Sequence, residues 1–220
     1  MKNIRDNLNA LKKELPSSVK LIAVSKMQSV QDILGVYATG QRRFGENRVR
    51  DLIAKQPLLP KDIEWHFIGH LQTNKVKFIA PFVHVIQSID SLKLLLEIDK
   101  EALRSNRIID CMLQLYIATE ETKFGLTLAE AKKLLASGDY RALRHVRITG
   151  LMGMATYTTD VALIQKEFST LKVNFDTLSK EFFPDNPGFS EISMGMSGDY
   201  RIAIEQGSTM VRIGSRIFQK

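Results

Sequence analysis

Lysine, arginine and a set of small, hydrogen-bonding residues are the parts of this sequence that could do chemistry. Lys26 follows the apolar run Leu21-Ile22-Ala23-Val24 and Ser25. Its stem would leave the end of a buried strand with its amine free to react. On position alone, a solvated strand-end lysine is the commoner case. Near the other end of the chain, Ser193-Met194-Gly195-Met196-Ser197-Gly198 and Gly214-Ser215 offer backbone N–H groups and hydroxyls with little side-chain bulk. That is the material of a phosphate site, although turns need glycine for backbone reasons too. Arg212 stands inside Met210-Val211-Arg212-Ile213, where a permanent charge must find a partner or reach water. A structural ion pair explains it as readily as function does.

These residues need elements to position them. Short apolar runs alternate with amphipathic stretches, the pattern of an α/β protein with parallel strands. An opening helix carries Ile4, Leu8, Leu11 and Leu15 on one face. Strands are predicted over residues 21–24, 43–44, 65–68, 83–86, 109–117, 146–151, 190–193 and 210–213. Helices are predicted from Ser29, a plausible N-cap, and over 47–55, 72–79, 91–104, 127–137, 160–182, 199–206 and 215–220. Helix 91–104 is assigned a core stripe of Leu92, Leu95, Leu96 and Leu103. The expectation is one domain over residues 1–220, a (β/α)8 TIM barrel with an additional N-terminal helix. An open doubly wound sheet is the alternative, because the second strand is short.

In a barrel, the polar and glycine-rich segments after the strands gather on one face. They include Ser25-Lys26, Gly45-Glu46-Asn47, 69–75, Ser88-Ile89-Asp90, Thr122-Lys123-Phe124-Gly125 and 152–156, with the loops after the last two strands. Barrels of this kind often hold phosphate with those last two loops. A lysine at strand one, an anion site after strands seven and eight and an inward arginine between them describe a pyridoxal phosphate pocket.

Ala23-Val24-Ser25-Lys26, Phe44-Gly45-Glu46-Asn47 and Trp65-His66-Phe67-Ile68-Gly69 carry a resemblance, together with Leu71-Gln72-Thr73-Asn74-Lys75, Gly150-Leu151-Met152, Ser193 to Ser197 and Gly207 to Gly214. In that order and spacing the sequence resembles the YggS/PROSC-type pyridoxal phosphate homeostasis proteins, related to the N-terminal barrel of alanine racemase. The resemblance implies that Lys26 is the imine lysine and that Asn47 lies near the cofactor. It further implies that Ser193, Ser197, Gly214 and Ser215 surround the phosphate, and that Arg212 faces the pyridine nitrogen. That family has a proline a few residues after the lysine, where this chain reads Met27-Gln28-Ser29-Val30. His70 is assigned no role.

The resemblance implies a carrier in intracellular cofactor homeostasis rather than a catalyst. Alanine racemase takes its opposite base from a second domain, for which no room is expected after the eighth strand. An arginine at the ring nitrogen also disfavours protonating it, which weakens the cofactor as an electron sink. A partly desolvated Lys26 near Arg212 is expected to be nucleophilic near neutrality and to exchange imines. The alternative is a weak amino-acid racemase or related enzyme using Lys26, alone or with Tyr157 or His66 as second base. Expected partners are pyridoxal phosphate and apo-enzymes that need it, and the chain is expected to be monomeric.

Composition bounds the remaining classes. The net charge of +7 and 44% hydrophobic content permit an acidic partner, but the densest basic cluster, Arg141, Arg144, His145 and Arg147, lacks the interleaved aromatics of a base-stacking surface. Nucleic acid is therefore not an expected partner. No apolar run approaches the roughly 18 residues of a membrane span, and the polar N-terminus is unlike a secretory signal, so a cytoplasmic location is expected. Cys111, flanked by apolar residues, reads as core. His66 and His70 straddle a strand and its loop, so no metal site is expected.

Overall fold

In a computed structural model, which describes residues 2–119 and 124–219, eight parallel strands close a barrel in sequence order. The Thr122-Lys123 part of the loop after the fifth strand lies outside the described residues. The strands are β1 (Lys20–Val24), β2 (Arg43–Glu46), β3 (Glu64–Phe67), β4 (Val85–Ile89), β5 (Ile109–Gln114), β6 (Val146–Met152), β7 (Glu191–Ser193) and β8 (Met210–Ile213). Closure comes from β1 pairing with β8, with Ile22 opposite Arg212 and Ala23 opposite Ile213. The barrel expectation therefore holds, and the open sheet is excluded. The short second strand is real, paired on both sides.

Ten helices surround the barrel among the described residues: α1 (Lys2–Glu14), α2 (Val30–Tyr37), α3 (Val49–Lys55), α4 (Val76–Ile79), α5 (Leu92–Arg104), α6 (Leu128–Ala136), α7 (Gly138–Ala142), α8 (Val161–Phe182), α9 (Tyr200–Glu205) and α10 (Ser215–Phe218). Local chemistry sets several of their starts. Ser29 accepts from the Asp32 amide at α2, and Thr127 and Glu130 form a reciprocal capping box at α6. α1 is the additional N-terminal helix, burying Ile4, Leu8 and Leu11 in the outer core. No described helix is long and apolar enough to cross a membrane.

The fifth strand ends at Gln114 rather than residue 117, and α7 was not expected; two further differences have a clear physical reason. The fourth strand was expected at 83–86, but Val83 closes the turn after α4, its amide bonded to the Ile79 carbonyl, and the strand runs on through Gln87 and Ser88. Those polar residues are fully buried. A barrel interior hides both faces of a strand, so polarity there does not mark a loop. In α5 the buried stripe is Leu94, Leu95, Ile98, Glu101 and Ala102, whereas Leu96 and Leu103 are exposed. A leucine-rich helix offers more than one apolar phase, and the neighbours choose between them. Cys111 is buried on β5, and burial, with Asp110 and Asp99 nearby, raises its thiol pKa.

Two apolar clusters follow from closure. The large one lies between strands and helices, while Ile22, Met112, Met152 and Met210 form a separate plug inside the barrel. Alternate residues on β1 and β8 thus face inward, and Arg212 shares that inner face with Met210.

Candidate functional site at the C-terminal mouth of the barrel

Parallel strands put every loop that follows a strand at one end. Lys26 begins such a loop two residues beyond Val24, whose carbonyl oxygen lies 3.1 Å from where a side chain on Gly214 would start. The amine-bearing loop and the loop after β8 are therefore immediate neighbours. Lys26 is exposed, not partly desolvated as expected, and its amine makes no ion pair among the described residues. The next residue, Met27, has φ 64. That left-handed backbone is unfavourable for a long side chain and turns the loop sharply.

Lys26 is anchored from behind. Ser25 is buried, donates from its amide to the Gly45 carbonyl at 2.9 Å, and donates from Oγ to Glu46 Oε1 at 2.6 Å. Lys55, from the last turn of α3, donates to Glu46 Oε1 at 2.8 Å and to the Ser25 carbonyl at 2.9 Å. The ends of β1, β2 and α3 are joined through one buried carboxylate. Beside them, Asn47 is half-buried, and a Cβ on Gly69 would fall 2.2 Å from the Asn47 carbonyl oxygen. Only glycine lets the β3 loop pass so close.

The opposite wall comes from β7 and β8. Gly195 has φ 95, and a Cβ there would lie 2.6 Å from that of Ala203. This glycine permits the turn that presents Met196, Ser197 and Gly198. Ser197 Oγ accepts from the Gly214 amide at 3.4 Å, and the Met196 amide donates to Asp199 at 2.5 Å. Ser215 is exposed at the start of α10.

Arg212 is only 4% exposed and has no carboxylate within ion-pair distance among the described residues. It donates to Ser193 Oγ at 2.6 Å and to the Gly153 carbonyl at 2.9 Å. Burial lowers its pKa to about 10, with the charge of Asp199 acting in the opposite direction. It remains a cation at neutral pH, and two acceptors do not use the five N–H donors of a guanidinium. Such a charge fits a site whose occupant supplies an acceptor and negative charge, as a phosphorylated pyridine aldehyde would.

The structure brings together Lys26, Asn47, Ser197, Gly214 and Ser215 on loops of one mouth, with Arg212 on the inner wall. Ser193 differs: its hydroxyl donates to Gln87 Oε1 at 2.6 Å and accepts from Arg212. It supports the arginine from inside the barrel. Sequence reasoning missed Gln87 and Lys55, and quoted Glu46 without a role. A charged residue ending a buried strand was the available signal for Glu46, whereas nothing local marks Gln87.

The two residues named as alternative bases are placed differently. His66 is buried, with Nδ1 at 2.9 Å from Gln87 Nε2. Burial first, then the charges of Arg43, His84 and Lys20, lowers its pKa to about 3. Tyr157 is 97% exposed on the loop after β6. His70 is bonded to Asp90 at 3.0 Å and stacked on Phe124. The basic cluster at residues 141–147 is engaged locally: Arg144 donates to the Arg141 carbonyl and Arg147 to Asp110.

The chain is similar to known proteins over nearly its whole length. The model of the alanine racemase N-terminal domain matches residues 1–219. A pyridoxal phosphate homeostasis protein of Aquifex aeolicus is 37% identical over 201 residues, covering 90% of this chain and 86% of that protein. One of Schizosaccharomyces pombe is 33% identical, covering 99% and 93%. The structure of PipY from Synechococcus elongatus PCC7942 with PLP bound superposes with a TM-score of 0.88 at 35% identity, covering 98% of this chain and 99% of PipY. An alanine racemase of Clostridium difficile, 13% identical with a TM-score of 0.78 and covered over 56% of its length, shares the fold. The chain belongs to the family of pyridoxal phosphate homeostasis proteins, built on the alanine racemase N-terminal domain.

Proposed function

We propose that the chain binds pyridoxal phosphate at the C-terminal mouth of the barrel and serves its intracellular homeostasis. Lys26 holds the cofactor as a Schiff base and gives it up by imine exchange. The observation that carries this reading is a buried Arg212, with no carboxylate in ion-pair distance among the described residues, on the same mouth as an exposed lysine and two small-residue loops. Arg212 faces the ring nitrogen, Ser197, Gly214 and Ser215 surround the phosphate, and Asn47 lies beside the ring. Ser193 contributes through Arg212. When bound, the cofactor supplies an aldehyde that condenses reversibly with amines. The protein's part is to present an amine open to an incoming competitor, to orient the ring, and to keep the ring nitrogen unprotonated with a neighbouring cation. Apo-enzymes are the recipients, and the carrier works as a cytoplasmic monomer.

Replacing Lys26 with alanine is expected to abolish cofactor that borohydride fixes to the chain, while the fold is retained because the side chain is exposed. A normal reducible adduct in Lys26→Ala refutes the assignment. A racemase would need a second base at the mouth; His66 is buried below it, and a carrier makes no use of Tyr157, which is 97% exposed on the loop after β6. Holoprotein incubated with single amino-acid enantiomers in deuterated solvent is therefore expected to show no Lys26-dependent α-proton exchange at catalytic rates.

A further inference from the structure

Inside the barrel, a line of hydrogen bonds runs from Arg212 away from the mouth. Arg212 Nη1 donates to Ser193 Oγ at 2.6 Å, and Ser193 Oγ donates to Gln87 Oε1 at 2.6 Å. Gln87 Nε2 lies 2.9 Å from His66 Nδ1. The polarity of this line is dictated by its ends. A guanidinium can only donate, so Ser193 presents a lone pair to it and has one proton left, which goes to the Gln87 carbonyl. The Gln87 amide nitrogen must then face His66 and donate, which requires Nδ1 to be the acceptor and places the imidazole proton on Nε2. All four residues are buried.

The far end of the line is open. His66 also lines a cavity of about 350 Å³ at the N-terminal end of the barrel, together with Lys20, Arg43, Glu64, Asp110, Arg147 and Glu191. Those charges are already matched, Lys20 with Glu191, Arg43 with Glu64 at 2.9 Å and Arg147 with Asp110 at 2.7 Å. His66 Nε2 has no hydrogen-bond partner among the described residues.

We infer that Gln87 and His66 are positioning residues for the cofactor's ring nitrogen, acting only through Ser193 and Arg212. Neutral dipoles orient the guanidinium without neutralising it. A carboxylate in the place of Gln87 would hold Arg212 equally well but cancel the charge that faces the ring. A charged imidazole would donate from both nitrogens, turn the Gln87 amide round and leave the Ser193 proton without its acceptor. The low pKa of the buried His66 agrees with this requirement. The inference rests on the proposed facing of Arg212 and the ring nitrogen.

The test compares equilibrium binding of pyridoxal phosphate and of its 1-deaza analogue, which carries C–H in place of the ring nitrogen. The proteins are the wild type, Gln87→Leu and Arg212→Leu. Gln87→Leu is expected to weaken pyridoxal phosphate about tenfold, the effect of losing one oriented bond to a charged group, and to leave the deaza analogue within about twofold. Equal losses for both probes in Gln87→Leu, while Arg212→Leu discriminates them, overturn the positioning role and leave the facing of Arg212 intact. Equal losses in Arg212→Leu overturn that facing itself. Should Gln87→Leu fail to fold, ¹⁵N NMR of His66 in the wild-type protein decides. The Nε2–H tautomer with a hydrogen-bonded Nδ1 at neutral pH supports the line as drawn, and the Nδ1–H tautomer or an imidazolium overturns it.

Discussion

A residue's chemistry here depends more on what surrounds it than on its type. The chain has four histidines, and His66 is buried, with its pKa lowered to about 3 from 6.5. Between those values the unfolded chain takes up a proton that the folded one refuses. His66 therefore contributes stability that is present above about pH 6.5 and lost as the pH falls toward 3, at up to about 1.4 kcal/mol per pH unit. Urea unfolding from pH 7.5 to 4.5 is expected to show a shallower loss in His66→Phe than in the wild type. It should not be flat, because His84 is shifted in the same direction by its own burial. An unchanged slope in the variant would falsify the buried neutral histidine. Lys26 shows the opposite case, a side chain left exposed at the mouth of the barrel.

Elements cooperate at their ends. β1, β2 and α3 meet at Glu46, which is 0% exposed and bonded to both Lys55 and Ser25. Removing one partner of a buried pair leaves a stranded charge, which costs about 3–5 kcal/mol. Lys55→Met is expected to destabilise the protein by roughly that amount, and adding Glu46→Gln is expected to recover more than half of it. Denaturant midpoints for the two single variants and the double variant check this, and additive losses would refute the coupling. Because Ser25 immediately precedes Lys26, Lys55→Met is also expected to weaken cofactor retention at denaturant-free equilibrium. Among the described residues, the network that holds the backbone just before Lys26 thus draws on a different helix than the one Lys26 leads into.

Over the whole molecule, charge is distributed differently at the two ends of the barrel. The N-terminal end has its ion pairs closed across the cavity. Around the C-terminal mouth, Lys26, Arg48 and Lys75 hold no ion pair among the described residues. With a net charge of +7, the molecule is expected to attract a phosphorylated ligand, and under the proposed function these cations would direct it to the mouth. The association rate of pyridoxal phosphate is expected to fall several-fold as ionic strength rises from about 0.02 to 0.2 M, because the Debye length shrinks from roughly 20 to 7 Å. In the double variant Arg48→Gln, Lys75→Gln, stopped-flow traces are expected to show a lower rate and a weaker salt dependence. A salt slope equal to that of the wild type would mean that the attraction comes from the overall charge alone.

By itself the sequence determined the alternation of strand and helix, the barrel class, the lysine after β1 and the small-residue loops after β7 and β8. Each of these is local: an apolar run makes a strand, a capped periodic stretch makes a helix, and glycine permits a tight turn. The tertiary structure decided the remainder. It placed Gln87 and Ser88 inside β4 where polarity suggested a loop, chose the buried face of α5 and bonded the Ser193 hydroxyl to Arg212 and Gln87. It also tied Lys55 to a carboxylate from another element. Closing a sheet into a barrel creates an inner surface on which residues more than a hundred positions apart hydrogen-bond, as Gln87 and Ser193 do, and no local pattern in the chain encodes which of them will meet.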